Sequence, residues 1–333
     1  MGWLGRKDPL QIVAFQSYGT KNRLYIRGRA LEDETIDLAQ KGIVKLLLNS
    51  WKRFETDEIR HTPLTIRLPD DRCFEVETGS DGYYLLDEQV DGLGKLVNRE
   101  GWVHFEISFR TEKLSRPVLG ENRFPGALMI PAVGAQYGVI TDIDDTILHT
   151  GVTSYLKWQV IANTLFKGVE RRLPLKGAPE LYHRLHRGRD GQSANPVFYV
   201  SHSPWNLYRY LEFFLSNNRF PKGPILLRSM ASFWKRKKQD VPQKRHEIEN
   251  IFKTYPDMPF ILIGDSGERD ADIYLAIARQ FPGRVLAIYL RSVRHTKRMQ
   301  RVRDLIAENT NIPILLVDQS EEVIRHGESI GII

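Results

Sequence analysis

A chain of 333 residues with 41% apolar and 27% charged residues is a folded globular protein with room for two domains, and these proportions exclude disordered and fibrous classes. The single cysteine, Cys73, excludes an internal disulfide, no cysteine and histidine cluster has zinc-ligand spacing, and no run reaches the about 18 apolar residues that span a bilayer. The net charge of +7 is uneven, because residues 1–130 hold 19 Lys plus Arg against 20 Asp plus Glu and the remainder holds 29 against 21. Such an asymmetry points the second half toward an anionic partner, whether lipid headgroups, nucleic acid or a phosphorylated substrate, or serves solubility alone.

At the N-terminus Arg6, Lys7 and Asp8 interrupt any apolar run of signal-peptide length. With the cysteine usage of a reducing compartment, this sets a cytoplasmic location as the expectation. Short alternating runs follow: Leu10 to Phe15, Arg23 to Ala30, Pro63 to Leu68, Cys73 to Glu77, Tyr83 to Leu86 and Trp102 to Phe109. They predict strands. The turn signals Pro69-Asp-Asp-Arg72 and Gly79-Ser-Asp-Gly82 predict hairpins of an antiparallel sandwich. Ile43 to Phe54 has the spacing of an inserted helix. Residues 1–112 are therefore expected to form an N-terminal β-sandwich domain.

Pro117, Gly120, Pro125, Gly126, Pro131 and Gly134 punctuate residues 113–135, which read as a linker. From 136 to 333 apolar runs alternate with longer helical patterns. Strands are predicted at Tyr137–Thr141, Val197–Val200, Pro224–Leu227, Phe260–Ile263, Val285–Leu290 and Ile314–Val317; helices at Trp205–Asn217, Lys244–Phe252, Asp270–Gln280 and His295–Glu308. This alternation predicts a doubly wound parallel sheet with helices on both faces, whose ligands sit beyond the carboxyl ends of the strands.

Two of those strand ends are acidic. Tyr137-Gly-Val-Ile-Thr runs into Asp142, Asp144, Asp145 and Thr146, and Phe260-Ile-Leu-Ile-Gly runs into Asp265, with Asp270 behind it. Carboxylates crowded at a sheet mouth repel unless a cation or a shared proton relieves them. Magnesium, which takes carboxylate, water and phosphate oxygens, meets that need. Turn and cap chemistry explains either acidic segment alone, and explains the two together far less well.

Asp142-Ile-Asp-Asp-Thr146 resembles the DxDxT motif of the haloacid dehalogenase (HAD) superfamily, and Gly264-Asp265 with Asp270 resembles its acidic metal motif. Ser201, closing a strand, and Lys244 stand where the second and third motifs would. More narrowly, SPWNLY, GDSGERDADIY and FPGRVLAIYLR resemble bacterial members of the actin-patch-type phosphatidate phosphatases, relatives of the lipins. The resemblance implies a HAD-like fold with a small cap and a Mg2+-dependent hydrolysis of phosphatidate to diacylglycerol and phosphate. In it Asp142 is the nucleophile and Asp144 the acid and base, while Asp142, Asp144 and Asp265 hold the metal. Ser201 and Lys244 grip the phosphoryl oxygens, Asp270 supports from behind, and Thr146 orients Asp144 or braces the loop. Asp145 reads as a structural residue or a support behind the acids, and His202 as a surface-loop histidine that either has no role or contacts substrate.

A lipid substrate implies transient adsorption to an anionic membrane surface, with no nucleic-acid partner expected. The aromatic and aliphatic stretch Tyr155-Leu-Lys-Trp158 through Leu165-Phe166 is either a membrane-facing cover or a core face. Phe233-Trp-Lys-Arg-Lys-Lys238 and the basic residues Arg294, Lys297, Arg298, Arg301 and Arg303 would assist adsorption. The alternative is a phosphatase for a soluble phosphomonoester, with the positive surface incidental.

Overall fold

The computed structural model describes residues 9–32, 59–110, 116–143, 146–147, 176–228, 243–266, 269–292, 296–309 and 311–333. The helix expected at 43–54, the stretch 155–166, the basic run 233–238 and Arg294 lie outside the described residues, as do the side chains of Lys297 and Arg298. The chain divides into two compact units, Met1–Ile130 and Pro131–Ile333.

The first unit is built from β1 (Leu10–Ala14), β2 (Ser17–Thr20), β3 (Arg23–Glu32), β4 (Pro63–Arg67), β5 (Cys73–Glu77), β6 (Tyr83–Gln89), β7 (Trp102–Phe109) and β8 (Phe124–Met129). All eight belong to one hydrogen-bonded sheet, in the order β1-β3-β2-β8-β7-β4-β5 with β6 on β3. The expected division into two sheets is therefore not seen. The ten-residue β3 is long enough to pair with β1 at one end and β2 at the other, while β6 takes its second edge. Leu24, Ile66, Leu86, Phe105 and Leu128, from strands distant in that order, share one core cluster, so the sheet curls around it.

Two further expectations change here. The turn at Pro69–Arg72 closes a true hairpin of β4 and β5, but the turn at Gly79–Gly82 does not, because β6 pairs with β3 rather than β5. Residues 124–129, expected in the linker, are β8, a strand between β2 and β7. Its Gly126 punctuates nothing: a Cβ there would lie 2.2 Å from the Phe105 ring, so glycine makes room for a core aromatic.

The second unit holds a six-stranded parallel sheet ordered β11-β10-β9-β12-β13-β14. The strands are β9 (Gly138–Thr141), β10 (Val197–Pro204), β11 (Ile225–Arg228), β12 (Phe260–Asp265), β13 (Val285–Arg291) and β14 (Ile314–Val317). Its helices are α1 (Ala178–Arg187), α2 (Tyr208–Asn217), α3 (Gln243–Thr254), α4 (Asp270–Gln280), α5 (Thr296–Ala307) and α6 (Ser320–Ser329). Every residue of β9 and β12 is buried, as the continuous apolar runs of a parallel sheet covered on both faces require. Arg284 fastens α3 to this sheet by donating to the carbonyls of Phe252 at 3.0 Å, Met258 at 2.6 Å and Tyr255. No helix among the described residues is long and apolar enough to cross a membrane.

Candidate active site

The chain enters the sheet at β9 and winds outward through β10 and β11, then returns to the other side of β9 with β12. The reversal of winding lies between β9 and β12, where open α/β sheets place their ligands. Register fixes what meets there. Thr141 pairs with Ile263, and the Asp142 N–H donates to the Ile263 carbonyl at 2.9 Å. Asp142 and Asp265 thus leave neighbouring strands side by side.

Two helices complete the centre. Lys244, on the first turn of α3, has its Nζ 2.7 Å from Asp142 Oδ1 and 2.5 Å from Asp270 Oδ1. Asp270 opens α4, and its Oδ2 accepts the Asp265 N–H at 3.3 Å. Asp142, Lys244, Asp265 and Asp270 are all buried, none more than 2% exposed. Burial alone would strip the lysine's proton, but Asp142 and Asp270 hold its pKa well above the usual range, so it stays an ammonium. Lys244 also lies over the Tyr274 ring, 5.9 Å from its centroid, and Tyr274 donates its hydroxyl to the Ile263 carbonyl at 2.9 Å.

Close approach of Asp270 depends on Gly264. A Cβ there would lie 2.3 Å from Asp270 Oδ2 and 2.8 Å from the Tyr274 ring. On the far side, the Tyr182 hydroxyl donates to Thr141 Oγ1 at 2.5 Å, and Thr141 Oγ1 donates to the Asp142 carbonyl at 2.8 Å. The backbone beside Asp142 is therefore held from below by a chain of two hydroxyls. Thr146 is buried, and among the described residues its Oγ1 has no hydrogen-bond partner.

Ser201 lies in β10, buried, and its Oγ accepts the Ser203 N–H at 2.9 Å. His202 is not a surface-loop residue. It is part of the same strand, and burial, followed by the positive charge of Lys244, pushes its pKa from 6.5 down to about 4. Burial above all keeps the ring neutral. Asp144 and Asp145 lie outside the described residues.

Of the three expected metal ligands, Asp142 and Asp265 are therefore in place as neighbours. Among the described residues no set of three His, Cys, Asp or Glu gathers to hold a metal. The donor chemistry still fits magnesium. Asp142 and Asp265 offer buried carboxylate oxygens from neighbouring strands, the donor type that magnesium takes.

Sequence reasoning missed Thr141, Tyr182 and Tyr274. Tyr274 stands four residues after Asp270 in α4, a spacing that puts both on one helix face and carried a usable signal. Tyr182 reaches Thr141 across 41 positions, and no local pattern announces it.

These features define an α/β unit with a buried, anion-rich centre past the carboxyl ends of adjacent parallel strands, braced by one lysine. Residues 137–292 match the family model described as "Phosphatidate phosphatase APP1, catalytic domain", so this unit is similar to the catalytic domain of the APP1-type phosphatidate phosphatases. Phosphatidate phosphatase APP1 of Saccharomyces cerevisiae is 32% identical over 247 residues, covering 72% of this chain and 39% of that protein. An uncharacterized protein of Schizosaccharomyces pombe is 28% identical over 225 residues, 66% of this chain and 34% of its own length. The chain thus spans less than half the length of these curated relatives. Among solved structures, a calcium-binding mutant of Bacteroides uniformis beta-glucuronidase 2 aligns with 92% of this chain and 40% of its own at 9% identity, but a TM-score of 0.24 carries no argument about fold.

Proposed function

We propose that the chain is a Mg2+-dependent phosphatidate phosphatase with a HAD-like catalytic unit, working through an aspartyl phosphate. The observation that carries this reading is the buried cluster of Asp142, Asp265, Asp270 and Lys244 at the reversal point of the sheet. The match of residues 137–292 to that family model supports the substrate, as does the yeast relative, which bears the name of a phosphatidate phosphatase.

Asp142 attacks phosphorus, and the bond from phosphorus to the diacylglycerol oxygen breaks. Asp144 gives that oxygen its proton and then takes one from the water that hydrolyses the aspartyl phosphate, releasing inorganic phosphate and the free carboxylate. Lys244 holds the Asp142 carboxylate in one orientation through its 2.7 Å bond and places a fixed positive charge beside the transferring group. Asp270 anchors that ammonium, and Ser201 supplies a hydroxyl to a phosphoryl oxygen. Asp142, Asp144 and Asp265 would hold Mg2+, whose contribution is to neutralise phosphate charge so that one anion can approach another.

Phosphate release from phosphatidate in mixed micelles and from a panel of soluble phosphomonoesters, with and without Mg2+, tests this directly. Release from phosphatidate that responds to surface concentration and stops with a chelator is expected. Asp142→Asn should lower it by roughly a thousandfold or more. Turnover confined to soluble esters, or undiminished in Asp142→Asn, would refute the proposal.

A further inference from the structure

Asp142 is the first residue beyond β9, because both ladders of that strand end at Thr141, paired with Tyr199 of β10 and Ile263 of β12. Its direction therefore depends on what holds its own peptide groups, and each has a tyrosine hydroxyl behind it. The Asp142 N–H donates to the Ile263 carbonyl at 2.9 Å, and Tyr274 of α4 donates its hydroxyl to that same carbonyl, also at 2.9 Å. The Asp142 carbonyl accepts from Thr141 Oγ1 at 2.8 Å. That bond uses the single threonine proton, so the hydroxyl of Tyr182 on α1, 2.5 Å away, is the donor to Thr141.

Both tyrosines are buried, and burial holds their phenols above the usual range, so each keeps its proton and donates. Filling space does not require these hydroxyls, since a phenylalanine ring has the same shape, and a hydroxyl taken out of water is costly unless it is bonded. What the two hydroxyls add is direction. They converge from different helices on the two peptide groups of one residue, the carboxylate that Lys244 orients from its other end at 2.7 Å.

We infer that Tyr182, acting through Thr141, and Tyr274, acting through the Ile263 carbonyl, are positioning residues that fix the Asp142 backbone for in-line attack on phosphorus. The inference rests on the role of Asp142 as nucleophile proposed above, and not on the identity of the leaving alcohol. A misplacement of about 1 Å can cost about a hundredfold in rate, so loosening one anchor should be visible in turnover.

The test uses the full chain with Mg2+ and whichever ester, phosphatidate or soluble, the wild type turns over. Tyr182→Phe, Thr141→Val and Tyr274→Phe should each lower kcat and the single-turnover rate of phosphate release roughly tenfold with KM nearly unchanged, the pattern of a contact that counts only in the transition state. Tyr182→Phe combined with Thr141→Val should cost no more than Thr141→Val alone, since the two hydroxyls form one chain, whereas Tyr182→Phe combined with Tyr274→Phe should multiply the losses. Tyr199→Phe is the control. Its buried hydroxyl donates to the Pro221 carbonyl at 2.7 Å, so its loss should lower the urea midpoint and leave kcat alone. Full kcat in Tyr182→Phe or Tyr274→Phe, multiplied losses in Tyr182→Phe with Thr141→Val, or an equal fall of kcat in Tyr199→Phe would each overturn the inference. Undiminished turnover in Asp142→Asn would instead remove the proposed mechanism, and this inference with it; activity confined to soluble esters would remove only the lipid substrate.

Discussion

At the level of single residues, the centre is a balance of buried charge, and its variants should behave accordingly. Lys244→Met leaves Asp142 and Asp270 buried without their shared cation, a kind of loss that typically costs about 3–5 kcal/mol. Urea unfolding should register it, and added Mg2+ should recover part of the difference if the acids hold the ion. Gly264→Ala drives a methyl group into the Asp270 carboxylate, so both stability and phosphate release should fall; an unchanged unfolding midpoint would contradict the contact. His202 offers a pH test. Its folded pKa of about 4 lies below the unfolded 6.5, so the neutral ring's contribution is complete above pH 6.5 and is lost as the pH falls toward 4. His202→Asn should therefore flatten the decline in stability across that window, read as urea midpoints at several pH values.

Among elements, the apolar runs were legible because a strand buried on both faces needs nothing but β-branched and aliphatic residues. Ile314–Val317 is a strand and Asp270–Gln280 a helix over the residues read from the sequence, and Phe260–Ile263 lies within a strand that runs on to Asp265. The elements that escaped have weak local patterns. β2, Ser17–Thr20, has four residues with one large side chain, and is a strand only because β3 and β8 flank it. In α1 only Ala178, Leu181, Tyr182 and Leu185 are buried among arginines and histidines, so the apolar stripe is narrow. Lys244 could be placed from its motif position, whereas Tyr182, which braces Thr141 beside Asp142, is joined to the centre only by tertiary packing. β8 was hidden by Pro125 and Gly126. Replacing Gly126 by Ala should destabilise the first unit through the Phe105 ring, and pairing it with Phe105→Leu should restore part of the loss, which a double-mutant cycle would measure.

Across the whole molecule, positive charge is concentrated from residue 131 onward, 29 Lys plus Arg against 21 Asp plus Glu. Adsorption to anionic vesicles should weaken as salt rises from low to physiological levels, since charges beyond a Debye length of about 8 Å at physiological ionic strength are screened; flotation at stepped ionic strength would show it, and salt-independent binding would assign adsorption to apolar contact instead. The central strand carries a different consequence. Asp142 meets Lys244 across 102 positions of chain, and β9 gains its second neighbour only when residues 260–265 arrive. Contacts so distant in sequence form late and slowly. A refolding chain should regain secondary structure well before it regains turnover, and catalytic competence should appear only in the last kinetic phase.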